Sequence, residues 1–193
     1  MRWQNYILNK KSESCKIFWQ DYLKTPKDVL YIHGLGFDPR TLNGLKDIYS
    51  LGGEGKRDVV SIKYFQSEEE ERSNNVKPEI SVHEYELQAF LKGVKNVTHT
   101  MKSLITRAEQ KSIASIKAHL IVDSINELTP YTDIIVDISA MSRGVFIPLL
   151  HKILNLIDTH DSVINLHVVV TENYLLDAQI EDDGVEQTAE FIH

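Results

Sequence analysis

The sequence predicts an α/β fold, a three-layer sandwich in which a mostly parallel β-sheet lies between helices. Three observations carry this. Short, densely apolar runs recur at 28–33, 58–65, 134–136 and 163–170, each of a length that suits a buried strand. Stretches with apolar residues at helical spacing separate them. Small and polar residues stand directly after the first and third runs, where a strand must turn into a helix.

A chain of 193 residues suits one domain, 1–193, able to bury a substantial core. A net charge of -7 disfavours a general double-stranded DNA binder, which needs a basic face. Cys15 is the single cysteine, so no internal disulfide and no cysteine-based zinc site can form. No His-Glu-x-x-His pattern relates the scattered histidines His83, His99, His119, His151, His160 and His167. No apolar run approaches the roughly 20 residues that cross a bilayer, and the N-terminus lacks the apolar core of a signal peptide. No membrane partner is expected, and the expected location is cytoplasmic.

Residues 1–27 form an N-terminal extension. Trp3, Tyr6, Ile7 and Leu8 suggest a short strand, and Cys15, Phe18, Trp19, Tyr22 and Leu23 have helical spacing up to Thr25-Pro26. The strand at 28–33 runs into Gly34-Leu35-Gly36-Phe37-Asp38-Pro39-Arg40. There the glycines permit a sharp turn, Asp38 suits an N-cap and Pro39 suits N1 of a helix reaching about residue 50. Free N–H groups at such a start can receive a phosphate, although Asp38 satisfies some of them itself. The third glycine of a dinucleotide fingerprint is missing, and such a loop equally serves as a plain turn.

After the glycine-rich turn 51–55 comes the strand 58–65. The stretch 66–78 reads as an exposed insert, a solvated or disordered loop, or as a mobile lid over a nearby site. From 82 to 128 the spacing is mainly helical. Val82, Tyr85, Leu87, Phe90, Leu91 and Val94 fit one helix, which Met101, Leu104 and Ile105 continue or restart. Ile113, Ile116, Leu120, Ile121, Ile125 and Leu128 fit another. The strand 134–136 leads through Asp137, Ser139, Ser142, Arg143 and Gly144 into a helix to about 158, with Pro148 expected to kink it or tighten its first turn. A turn at 159–161 precedes the buried strand 163–170, and Thr171-Glu172-Asn173 stands at its end. Residues 174–193 look helical in parts, with a turn at 182–184. The end at Ile192-His193 fits the N-terminal part of a longer protein as well as a small complete one.

Parallel strands place their carboxyl ends on one sheet edge, so the loops 34–40 and 137–144 and the residues Thr171 to Asn173 are expected to line one pocket. Asp137 can anchor its own loop through backbone N–H groups. Arg143, at a helix start, is badly placed for the helix dipole. It therefore either pairs with Asp137 or binds a phosphate as a bidentate donor.

Asp137-x-Ser139-x-x-x-Arg143 resembles the Asp/Asn-x-Ser/Thr-x-x-x-Arg/Lys signature of CARF domains, the Rossmann-like sensors of cyclic oligonucleotides in CRISPR and related anti-phage systems. The Gly34-Leu35-Gly36-Phe37-Asp38-Pro39 loop is similar to the small-residue loop that forms the other half of their pocket. The likeness spans about residues 28–171 and leaves out the N-terminal segment; the acidic balance departs from what a highly anionic ligand favours. The resemblance implies a Rossmann-like fold and a homodimer with a nucleotide-type ligand across its two-fold axis. Backbone amides, Ser139 and Arg143 would hold that ligand, and a fused or associated effector would be regulated by it. With the strand-end grouping, the candidate ligand-binding residues are Gly34, Leu35, Gly36, Phe37, Asp137, Ser139, Ser142, Arg143 and Thr171. No catalytic residue, metal or cofactor is assigned.

Two hydrolytic alternatives stand beside a sensor. His33-Gly34 resembles the oxyanion loop of α/β-hydrolases, and Ala140-Met141-Ser142-Arg143-Gly144 their nucleophile elbow with Ala in place of the first Gly. Ser142 would then be the nucleophile, with Asp161 or Asp177 and His167 or His193 as partners; His167 reads equally as a core histidine. A nucleotide-cleaving enzyme on the same scaffold would use Asp137 or Glu172 as its acid–base group. A scaffold without a small-molecule site is the fourth reading.

Overall fold

Five parallel strands form the centre of the molecule. The computed structural model describes residues 6–73, 78–108, 111–112 and 114–173. Its strands are β1 (Val29–Leu35), β2 (Arg57–Phe65), β3 (His99–Ile105), β6 (Asp133–Asp137) and β7 (Asn165–Val169), with a small hairpin of β4 (Arg107–Ala108) and β5 (Lys111–Ser112) beside them. The sheet order is β3-β2-β1-β6-β7, and every pairing within it is parallel. The Rossmann-like three-layer sandwich expected from the alternation is the architecture observed.

β1 is central because it is apolar on both faces, and all seven of its residues are buried. One face packs Tyr31, Leu35, Val59 and Ile135 against the helices α1 (Ser12–Tyr22), α2 (Asn43–Tyr49) and α4 (Pro78–Leu91). The other packs Leu30, Ile32, Ile62, Ile134 and Val136 against α5 (Ala114–Lys117) and α6 (Arg143–Thr159). The chain moves outward from β1 to β3, then returns to the other side of β1 with β6. That reversal makes the carboxyl edge between β1 and β6 the switch point, the place where such sheets bind ligands.

Several expectations are corrected. Tyr6, Ile7 and Leu8 are irregular and exposed, not a strand, and Trp3 of the same expected strand lies outside the described residues. Met101, Leu104 and Ile105 belong to β3, not to a helix. Their apparent helical spacing comes from an edge strand whose solvent side needs no apolar residue, which blurs a strand's alternation. The helix expected over 113–128 is only α5 followed by a 3-10 turn at Ala118–Leu120. A capping box between Ser124 and Glu127 then opens a separate 3-10 turn, Ile125–Glu127.

The acidic insert carries a short helix, α3 (Glu68–Ser73), on residues expected to be loop. Its start is built by Ser67, whose hydroxyl accepts from the Glu70 N–H at 3.2 Å, and by the Glu70 carboxylate, which accepts from the Gln66 N–H. β7 is an edge strand rather than a buried one, with Val168 half exposed. The expected features over 174–193 lie outside the described residues. Among the described residues no helix is long and apolar enough to cross a membrane.

Candidate functional site

β6 ends on Asp137, whose buried carboxylate builds the turn that follows. Oδ1 accepts from the Ser139 N–H at 2.9 Å and from the Ser139 hydroxyl. Oδ2 accepts from the Tyr31 hydroxyl at 2.6 Å. Ser139 Oγ in turn accepts from the Thr171 N–H at 2.8 Å, which ties the end of β7 to the same turn. The loop at 137–142 and Thr171 therefore meet as the strand-end grouping required. Burial pushes the Asp137 carboxyl up from its ordinary value, and the bonds from Ser139 and Tyr31 pull it partly back. Burial and the neighbouring Asp137 raise the Tyr31 hydroxyl well above its ordinary value, so it stays the donor.

Arg143 does not pair with Asp137; the carboxylate is served by Ser139 and Tyr31 instead. Arg143 is exposed as the first residue of α6, and among the described residues no acid pairs with it. Ser142 is the N-cap, exposed and extended, with its carbonyl accepting from the N–H groups of Val145 and Phe146. Of the motif, Asp137 and Ser139 are committed to the protein's own framework. Arg143 faces outward.

Gly34 and Leu35 are the last residues of β1 rather than loop. Thr41 folds back so that its hydroxyl donates to the Gly34 carbonyl, and Gly36 N–H approaches the same hydroxyl at 3.5 Å. His83 of α4 donates from Nδ1 to the Gly36 carbonyl at 2.8 Å. Phe37 projects at the tip, 64% exposed. Asp38 does not cap a helix: its carboxylate takes the Arg40 N–H at 2.8 Å and a two-point contact from the Arg40 guanidinium. With Asp38 and Arg40 engaged in that turn, α2 begins only at Asn43.

The crevice between β1 and β6 is filled by the protein. A Cβ on Gly34 would lie 2.7 Å from both the Ala140 carbonyl oxygen and the Tyr64 hydroxyl, and one on Gly44 would lie 2.6 Å from Asp137 Oδ2. Only glycine allows α2 and the 138–142 turn to close on the strand ends in this way. Among the described residues at this edge, Phe37, Ser142 and Arg143 are exposed at the loop tips.

Beneath the glycine loop lies a chain of polar groups that the sequence reading missed. His33 Nδ1 stands 3.0 Å from the Thr41 carbonyl, so it must carry the proton. Burial lowers the His33 pKa from 6.5 to about 4. The ring is therefore neutral, and Nε2 accepts from the Ser61 hydroxyl at 2.7 Å. Ser61 Oγ accepts from His99 Nε2 at 3.0 Å, and His99 Nδ1 accepts from the Gln88 amide at 3.0 Å. Every link then has one donor and one acceptor. These bonds tie β1, β2, β3, α4 and the glycine loop together. The available signal was a polar residue facing inward in each of two apolar strands, His33 and Ser61.

The hydrolase constellation is not assembled by the described partners. His167 donates from Nε2 to Asp133 at 2.8 Å, at the amino end of β6 and away from Ser142. Asp161 follows the far end of α6. Asp177 and His193 lie outside the described residues. Glu172 stands at the carboxyl end of β7, and Asp137 is too enclosed to meet a substrate directly. Among the described residues no group of three or more His, Cys, Asp or Glu could hold a metal ion. Compared with protein-family models and with curated proteins, the chain matches none.

Proposed function

We propose that the chain is a sensor domain for a nucleotide-type second messenger, CARF-like in its use of a cyclic oligonucleotide, that regulates an effector in prokaryotic anti-phage defence. The observation that carries this reading is the turn after β6. It is held by Asp137, Ser139 and Thr171 at the switch point of a parallel sheet, and it presents an exposed Arg143 with no acid partner among the described residues. An arginine fixed at its backbone and open at its guanidinium suits bidentate recognition of a phosphate. The rigid glycine loop beside it offers the second wall.

The crevice is closed, so the ligand sits on the rim. A rim site gains enclosure when a second copy of the domain faces it, in keeping with a homodimer and a ligand on its two-fold axis. Ser139 acts mainly by holding the turn, because its hydroxyl proton and one lone pair are already engaged.

A thermal-shift screen with short cyclic and linear oligonucleotides and mononucleotides tests this. A ligand that binds only the native state raises its midpoint. Stabilisation by one of these compounds is expected, and Arg143→Ala is expected to lose it while melting like the wild type without ligand, since the side chain is exposed. No stabilisation by any compound, or an undiminished shift in Arg143→Ala, overturns the reading. Turnover of the stabilising compound would instead mark a nucleotide-cleaving enzyme.

A further inference from the structure

We propose that Tyr64 is a positioning residue of this site: a ligand engaging the 138–143 turn brings the Ala140 carbonyl onto the Tyr64 hydroxyl. This rests on the ligand-site reading above and adds how binding is transmitted into the sheet.

Tyr64 lies near the carboxyl end of β2, and its side chain reaches over β1 at Gly34. Its hydroxyl oxygen is buried and has no hydrogen-bond partner among the described residues. Burial raises its pKa, so the group keeps its proton and remains a donor. The Ala140 carbonyl oxygen approaches the same point from the β6 side, and each stands 2.7 Å from where a Gly34 Cβ would be. Among the described residues, the Ala140 carbonyl accepts no hydrogen bond. A buried donor without a partner among the described residues thus faces, across a glycine, the carbonyl of the half-buried Ala140. Buried groups left unpaired are rare and costly, and they mark places where a second arrangement satisfies them.

The local mechanics suit one such arrangement. Ser139 is pinned by Asp137 and Thr171, and Met141 is buried with its N–H on the Ile138 carbonyl at 3.2 Å. Ala140 lies between these two residues, its carbonyl shares one peptide plane with the Met141 N–H, and the exposed Ser142 and Arg143 follow directly. An anion drawing on Arg143 shifts that peptide towards Tyr64, exchanging the Met141 N–H bond to the Ile138 carbonyl for one from the Tyr64 hydroxyl to the Ala140 carbonyl. The closure would link the turn after β6 to β2 across β1. The substitution Gly34→Ala would block it sterically.

The test compares wild type, Tyr64→Phe and Arg143→Ala. The probes are short cyclic and linear oligoadenylates, oligoguanylates and oligouridylates, with inorganic phosphate as the anion control. Without probe, Tyr64→Phe is expected to melt with the wild type or above it, because the hydroxyl has no partner to lose and its unpaired burial is costly. With the probe that stabilises the wild type, its affinity is expected to fall about two- to twelvefold, the range of one neutral hydrogen bond. Amide exchange at Met141 should quicken on probe binding in the wild type, as its N–H leaves the Ile138 carbonyl, and not in Tyr64→Phe. A ligand-free midpoint several degrees lower in Tyr64→Phe would mean that the bond is already made, and overturns the proposal. So does an affinity equal to that of the wild type. If the wild type binds a probe through Arg143 and Tyr64→Phe binds it equally, Tyr64 alone has been misassigned. If no probe binds the wild type, the site reading falls and this inference with it.

Discussion

His33 shows how one residue type acquires a job from its surroundings. A histidine in the middle of a sheet must be neutral, and here its two ring nitrogens are assigned by what they meet: a carbonyl that can only accept and a serine that must then donate. The consequence for stability has a definite sign. The unfolded chain takes up the proton near pH 6.5, whereas the folded chain resists it down to about pH 4. Stability from this group is therefore complete above pH 6.5 and is lost as pH falls through that window. A pKa unit corresponds to about 1.4 kcal/mol, so the whole window is worth about 3 kcal/mol. Urea unfolding of wild type and His33→Gln at pH 7 and pH 4 checks this. The wild type should lose about 3 kcal/mol more than the variant, and parallel losses would show that His33 is not the titrating group. His33 was legible in the sequence only as the residue before Gly34. Its partner Ser61 and the His99 that donates to Ser61 lie on other strands, and no local pattern connects them.

The elements that were misread share a physical cause. Helical and strand periods are distinct only where one face is buried and the other is not. β3 and β7 are edge strands with partly solvated faces, so one passed for a helix and the other for a core strand. β1 and β6, buried on both sides, were clear from their apolar runs. α3 had a readable start in Ser67 and Glu70, which four consecutive glutamates obscured. α6 raises a separate question, because Pro148 is its sixth residue. A proline there removes the N–H that would bond to the Gly144 carbonyl, and its ring crowds that carbonyl. Pro148→Ala is expected to stabilise the protein by about 1–3 kcal/mol. Chemical denaturation measures it, and an unchanged midpoint would mean that the helix start has adapted fully to the missing bond.

At the scale of the whole molecule, the sheet has two edges with different chemistry. The carboxyl edge carries the exposed loop tips and the candidate site; its position was legible, since it follows from parallel strands alone. The amino edge carries a dense polar knot that was not, because its parts come from both ends of the chain. Asp133, at the start of β6, accepts from the Tyr22 hydroxyl at 2.6 Å, His167 at 2.8 Å and Thr132 at 2.6 Å, and Asn165 donates to the same Tyr22 hydroxyl. Phe18, Trp19 and Tyr22 of α1 surround His167 with ring centroids 5.0–6.4 Å away. This knot fastens α1 to β6 and β7, the half of the sheet that lies beyond β1. Burial pushes the Asp133 carboxyl up, but the bonds from His167, Thr132 and Tyr22 outweigh it and hold the pKa down at about 2. The contribution is therefore present above pH 3.8 and is lost as pH falls towards 2. Its full size is about 2 kcal/mol. In Asp133→Asn the acid-labile part should vanish, so the variant is less stable at pH 5 and the gap to the wild type narrows at pH 2.5. The fluorescence of Trp19 reports whether α1 leaves the sheet in the same transition. A gap that stays constant between those two pH values would place the acid sensitivity elsewhere and leave α1 fastened by its aromatic packing alone.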